Sequence, residues 1–231
     1  MGWGARRTVL VCALAAALGL LSACTDTCEP GTCEPCVGET CEVRCVEPDD
    51  EDVWYVCPWE CLDDASCDFT CRTDGCKLQC DGSTCTCDIC DAHCTGGSDC
   101  SVSGRGGRVG CDASTCHLNC DGAEAPVPCL EACTNGSSCT LSCGTDPGHS
   151  TQVGDRAPSC AMSCDASSSC HITCALHVPC ALCCGGSSDC TLDCPTGGTT
   201  CPDGVLVCGD TSCETASSAC PVYTEEWMKG W

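Results

Sequence analysis

The chain has 231 residues, of which 38 are cysteine, against five Trp, two Tyr and one Phe. So few large apolar side chains exclude an ordinary hydrophobic core of this size, and a cysteine share well above about 10% points to a disulfide scaffold in an oxidising compartment. Nine Lys and Arg against 33 Asp and Glu give a formal net charge of −24, a field that repels nucleic acid and anionic membrane surfaces.

Residues 1–23 read as a signal peptide. Arg6 and Arg7 precede an apolar run from Thr8 to Leu20, and Leu21-Ser22-Ala23-Cys24 follows, which is the layout of an export signal. The run is shorter than the roughly 20 residues a membrane-spanning helix needs. The tetrapeptide resembles the bacterial lipobox, and the resemblance implies cleavage before Cys24, diacylation of Cys24 and attachment to the membrane through that lipid. An Asp directly after the lipidated cysteine tends to retain such proteins at the inner membrane. Thr25 stands there, which favours the outer membrane. Arg6-Arg7 also looks like a twin-arginine signal, although a chain that needs many disulfides is better served by unfolded export to the periplasm. Cleavage removes Cys12 and lipidation uses Cys24, so two of the 38 cysteines are spent and 36 remain, enough for 18 bridges; connectivity does not follow from sequence. Loss of Arg6 and Arg7 leaves seven basic residues against 33 acidic ones, a net charge of −26, which helps to keep an edge-rich β protein soluble.

Residues 24–52 read as an acidic, Pro- and Cys-containing tether, broken by Pro30, Pro35, Pro48, Gly31 and Gly38. Its run of Glu47, Asp49, Asp50, Glu51 and Asp52 lacks the alternation and glycine of a calcium loop and reads as a solvated spacer. Trp54, Tyr55 and Trp59 follow. Trp59 lies at the centre of Cys57-x-x-x-Cys61, where a lid over the first rung of a repeat is expected.

Residues 53–200 form that repeat. Its unit is Cys-x-φ-x-Cys, with φ apolar, and it is clearest where Cys160, Cys170, Cys180 and Cys190 recur every ten residues with Cys164, Cys174, Cys184 and Cys194 closing the units. Earlier copies run Cys67 to Cys71, Cys76 to Cys80, Cys90 to Cys94, Cys116 to Cys120, Cys129 to Cys133 and Cys139 to Cys143, with Cys100 and Val102 a partial one. Residues two apart share a face of an extended chain, so each unit reads as a short strand with its cysteines and φ inward. The two cysteines of a unit are then about 13 Å apart at a rise of about 3.3 Å per residue, too far for a bridge. Each is therefore expected to pair with a neighbouring unit.

The predicted fold is all-β and disulfide-rich, a cystine-stapled β-solenoid with two units per coil; the alternative is a string of small independent cystine modules. Asp81-Gly82-Ser83, Thr95-Gly96-Gly97, Asp121-Gly122 and Asn135-Gly136-Ser137 supply turns. Ala92 and Glu131 break the φ pattern. A carboxylate facing a cystine core is costly, so the Glu131 rung is expected to twist outward or to change register. Ser103 to Gly110 and Gly144 to Pro158 read as turn insertions and ordinary mobile loops; an anion or glycan contact through Arg105, Arg108 and Arg156 is the alternative. Residues 201–231 read as a C-terminal cap or tail ending in Tyr223, Trp227 and Trp231.

No catalytic residue, metal ligand or cofactor is assigned. Cys33-Glu34-Pro35-Cys36 has a redox-like form without the βαβ context, and Cys90 is followed by Asp91, so the haem-attachment pattern is not met. His117 and His171 fall at outward strand positions, and C-x-C, which metal clusters favour, occurs as Cys85-Thr86-Cys87 alone. G-x-S-x-G and H-E-x-x-H are missing. A flat Thr array for ice is interrupted by Lys77, Gln79, His117, Asn119, Ala161 and Ser163. Leu21 to Cys24 and the units from Cys67 to Cys194 together resemble the Cys-rich, repeat-bearing outer-membrane lipoproteins of predatory and soil bacteria. The resemblance implies an address and an architecture rather than an activity. The expected function is a structural, adhesive or binding role at the cell envelope, with an extracellular protein or glycan as partner. The alternative is metal binding or thiol buffering there.

Overall fold

The computed structural model describes residues 24–27, 35–45, 57–71, 76–88, 90–104, 106–120, 128–144, 158–176, 178–186, 188–209 and 211–221. In chain order the strands are β1 (Cys24–Thr27), β2 (Cys36–Val37), β3 (Thr40–Cys45), β4 (Cys57–Leu62), β5 (Ser66–Cys71), β6 (Cys76–Asp81), β7 (Thr84–Asp88), β8 (Asp91–Thr95), β9 (Asp99–Ser103) and β10 (Gly107–Asp112). They continue with β11 (Thr115–Cys120), β12 (Cys129–Thr134), β13 (Ser138–Cys143), β14 (Cys160–Cys164), β15 (Ser169–Cys174), β16 (Cys180–Cys184), β17 (Asp189–Asp193), β18 (Thr199–Thr200) and β19 (Leu206–Cys208), and one helix follows, α1 (Cys213–Ala219).

Odd strands β1 to β17 make one parallel sheet, and even strands β2 to β16, extended by antiparallel β19 and β18, make the other. Each coil is one strand from each sheet, as the two-units-per-coil reading expects, and the architecture is an all-β solenoid rather than a closed barrel.

The core is a set of columns running through the coils. In the odd sheet Val43, Phe69, Cys87, Val102, Leu118, Leu141, Ile172 and Leu192 lie in register, and in the even sheet Trp59, Leu78, Ala92, Val109, Glu131, Met162 and Leu182 do. Parallel neighbours about 4.8 Å apart stack like positions on like, so φ becomes a ladder. The cystines flank it. On the edge leading from even to odd strands, Cys61–Cys67, Cys80–Cys85, Cys94–Cys100, Cys111–Cys116, Cys133–Cys139, Cys164–Cys170 and Cys184–Cys190 close turns of five or six residues' separation. On the opposite edge Cys87–Cys90, Cys120–Cys129, Cys143–Cys160 and Cys174–Cys180 span separations from 3 to 17. Every insertion therefore falls on one edge.

Several expectations need correction. The Ser103 to Gly110 stretch is not simply a long turn, because β10 is a full strand whose opening cysteine is replaced by Gly107, in register with Cys129. A Cβ there would lie 3.0 Å from the Cys90 carbonyl oxygen, so the close approach of β8's lead-in selects glycine. Trp59 is not an outer lid. It is buried within a rung and stacked on Phe69 at 5.8 Å between centroids, because β3 adds a coil on its N-terminal side. Strands β1 to β3 lie within the stretch read as a tether and continue both sheets in register. Glu131 neither twists outward nor shifts register: it pairs with Val109 and Met162 and is 0% exposed.

At the C-terminal end the pattern gives way to a different unit. Cystines Cys194–Cys208, Cys201–Cys213 and Cys183–Cys220 bring β18, β19 and α1 onto the last coils. Ser212 caps α1 by accepting from the Thr215 amide at 3.2 Å. Ala216 of α1 is buried with Ala161, Ala181, Val205 and Val207, which explains why Ala161, an outward position on β14, is not exposed. Tyr223, Trp227 and Trp231 lie outside the described residues.

Candidate functional surface

The two sheets present unlike outer faces. That of the even sheet is partly covered at its C-terminal end by the helical unit. The outer face of the odd sheet carries three rows of side chains in strict register, one beginning Thr40, Ser66, Thr84, Asp99, Thr115 and Ser138. A second runs Glu42, Asp68, Thr86, Ser101, His117, Thr140, His171 and Thr191, and the third Arg44, Thr70, Asp88, Ser103, Asn119, Ser142, Thr173 and Asp193. Among the described residues no row contains Phe, Tyr, Trp or a large aliphatic side chain. Outward alternation in a sheet with one buried face dictates polar residues here, and their hydroxyls and carboxylates bond along the rod. Thr86 donates to Asp68 at 3.1 Å, Ser103 to Asp88 at 3.2 Å, and the His171 Nε2 lies 3.2 Å from Asp193 and 3.1 Å from Thr173. The face is hydrogen-bonding and predominantly Ser and Thr, with acidic groups outnumbering the single arginine and a repeat of about 4.8 Å along the rod.

A second periodic feature lies inside the even-to-odd turns. Ser83, Ser98, Ser114, Ser137 and Ser168 are buried, and each serine amide in the first four donates to the hydroxyl one coil further on, at 3.2, 3.2, 3.3 and 3.2 Å. The hydroxyls donate in turn to nearby oxygens: Ser83 to the Cys61 carbonyl at 2.9 Å, Ser137 to that of Cys111 at 3.0 Å, Ser168 to the Asp165 carboxylate at 2.7 Å. Burial pushes the Asp165 carboxyl up, but donors from Ser168, the Asn135 amide and Ser167 outweigh it and hold it at about 2. Sequence reading noted these turns for their glycines and missed the ladder. The signal was available: Ser-x-Cys precedes each of β7, β9, β11, β13 and β15.

The predicted cysteines are brought together as cystines between consecutive strands, except that Cys194 reaches past β18 to β19. Cys67, Cys80, Cys116, Cys120 and Cys139 pair with Cys61, Cys85, Cys111, Cys129 and Cys133. Cys143 joins Cys160, Cys164 joins Cys170, Cys174 joins Cys180, Cys184 joins Cys190 and Cys194 joins Cys208. Cys76 is disulfide-bonded, whereas the side chains of Cys24 and Cys71 lie outside what is described. Sulfurs of adjacent rungs gather in threes within 4.8 Å of one another, as in Cys61, Cys67 and Cys85 or Cys133, Cys139 and Cys170. Those sulfurs are already bonded in pairs, which removes the thiolates that would hold a metal.

Of the arginines expected in loops, Arg108 projects from β10 instead, and its amide donates to Asp91 at 2.8 Å; Arg105 and Arg156 lie outside the described residues. No family model, curated protein or solved structure matches the chain.

Proposed function

We propose that the chain is a cell-envelope lipoprotein, anchored through Cys24 at the outer membrane, whose cystine-stapled rod serves a structural, adhesive or binding role without catalysis. The observation that carries this reading is the outer face of the odd sheet, an uncovered array of hydroxyl, carboxylate and imidazole groups on a rigid support. Such an array suits many weak hydrogen bonds to an extended protein or glycan, where repetition along the rod replaces a single pocket. Nucleic acid is an unsuitable partner for a chain of this charge.

The test is twofold. Cys24→Ser abolishes incorporation of a labelled fatty acid and releases the protein from the membrane fraction. With anchoring intact, Thr140→Lys combined with Ser142→Lys and Thr173→Lys reduces adhesion of expressing cells to extracellular matrix proteins or surface polysaccharides. A released but unlipidated wild-type chain refutes the anchor; adhesion indifferent to the three lysines refutes the face.

The second reading, metal binding or thiol buffering, draws on the groups of three sulfurs, which become ligand sets once reduced. Alkylation of periplasmically exported protein without reductant, followed by intact mass, separates the two. Near-zero addition favours the rod, and many alkylated thiols with stoichiometric zinc or copper favour the alternative.

A further inference from the structure

Glu131 is the one ionisable residue in the φ columns. It is fully buried, and neither carboxyl oxygen has a hydrogen-bond partner. Its column neighbours are Val109 on β10 and Met162 on β14, and the facing columns of β11 and β13 offer Leu118 and Leu141. Of the titratable or charged groups on those strands, Arg108, Asp112 and His117 occupy outward positions, while β13 and β14 contribute none beyond their cystines. Among the described residues, nothing inside the rod answers a negative charge. An uncompensated carboxylate in such a place is far more costly than the neutral acid, and burial accordingly pushes the Glu131 carboxyl well above its ordinary range.

Strand β12 is tied at both ends, by Cys120–Cys129 to β11 and by Cys133–Cys139 to β13, so opening it means breaking its ladders to β10 and β14 with those tethers intact.

We propose that β12 is a pH-operated rung, at which loss of the Glu131 proton drives the strand out of the core and opens the even sheet between β10 and β14. The closed rung holds a proton that the open, hydrated one releases at an ordinary carboxyl pKa of about 4.3. Closure is thus fully favoured below that value and weakens as pH rises toward the raised one. In that window one proton separates the two states, so the opening constant rises about tenfold per pH unit. Acidic surroundings lock the rod and neutral or alkaline ones loosen it at this rung.

Amide hydrogen exchange on the disulfide-intact protein tests the proposal. After division by the intrinsic exchange rate, protection of the β12 amides falls about tenfold per pH unit above pH 5, whereas that of β6 and β15 stays flat. Glu131→Gln makes β12 flat as well, and Glu131→Leu makes it flat and more protected. A pH-independent β12 in the native protein overturns the proposal, as does an unchanged slope in Glu131→Leu. Because the Leu variant fits the column, loss of folding does not obscure the reading.

Discussion

Replacing Ser137 by alanine isolates what the serine ladder contributes. The Ser137 hydroxyl is the acceptor for the Ser114 amide at 3.3 Å, and its one proton is shared between the Cys111 carbonyl at 3.0 Å and the Thr134 carbonyl at 2.5 Å. Ser114 and Ser137 are both buried, so water does not substitute freely for the lost oxygen. Leaving a buried amide without its acceptor costs about 1–3 kcal/mol, or about 5- to 150-fold in an opening equilibrium at 1.4 kcal/mol per factor of ten.

Ser83 provides an internal comparison. Its hydroxyl donates to the Cys61 and Asp81 carbonyls, but the preceding coil has Ala65, whose amide bonds the Leu62 carbonyl instead. Ser83→Ala therefore removes a single donor, shared between two carbonyls, and costs about 0.5–1.5 kcal/mol. Ser138, exposed on the outer face, should change stability by no more than about 0.5 kcal/mol when replaced by alanine. Equilibrium unfolding in guanidinium with cystines intact, followed by far-UV circular dichroism, ranks the three. Exchange of the Ser114 amide reports the local effect. Equal costs for Ser137→Ala and Ser83→Ala, or unchanged exchange at Ser114, refute the view that the ladder carries the amide.

Glu131→Leu raises the unfolding free energy at neutral pH by about 1–3 kcal/mol and the denaturant midpoint with it, because an unpartnered buried carboxyl gives way to an apolar side chain; a lowered midpoint would mean that the carboxyl has a partner. Asp165 works in the opposite sense. Its depressed carboxyl contributes stability that is present above the ordinary carboxylate pKa and is lost as pH falls from about 4 toward about 2, so the Asn135 and Ser167 amides exchange faster, relative to intrinsic rates, across that window. Asp165→Asn removes this dependence. Trp59→Ala empties a buried site stacked on Phe69 and lowers stability by about 3–5 kcal/mol, measured by the same denaturant titration.

The strands that sequence could reveal are those whose unit keeps both cysteines, such as β13, β14, β15 and β16. In them the two-residue period and the Gly/Ser turns agree, and the distance between a unit's cysteines forces pairing between neighbours. The missed strands break the unit for local reasons. Strand β7 places Cys87 in the φ column, between Phe69 and Val102, so it reads as C-x-C; β10 replaces a cysteine by Gly107 to clear the Cys90 carbonyl. The coil period was blurred because insertions enter on one edge alone. Glu131 was visible as an exception, but its fate was not: sequence penalises a buried charge, whereas the fold keeps the register and buries a carboxyl whose ionisation that burial opposes. The outer face of the odd sheet was obscured because outward residues from both sheets were read as one array.

The linkage pattern has a consequence for proteolysis. The described turn between β12 and β13 is spanned by Cys133–Cys139, and that between β14 and β15 by Cys164–Cys170. A cut at Asn135 or Ala166, both exposed, leaves the two sides covalently joined. A cut inside β13, between Cys139 and Cys143, is bridged by none of the described cystines, but there the backbone is held on both sides by β11 and β15. Cystines guard the turns and parallel ladders guard the strands, so neither mechanism alone protects the rod. Limited proteolysis without reductant should nick the chain yet leave a single species of nearly unchanged mass, which separates into fragments once reduced. If the unreduced body from Cys67 to Cys194 falls apart instead, strands open faster than the ladders imply, and a rigid adhesive rod is no longer a tenable reading.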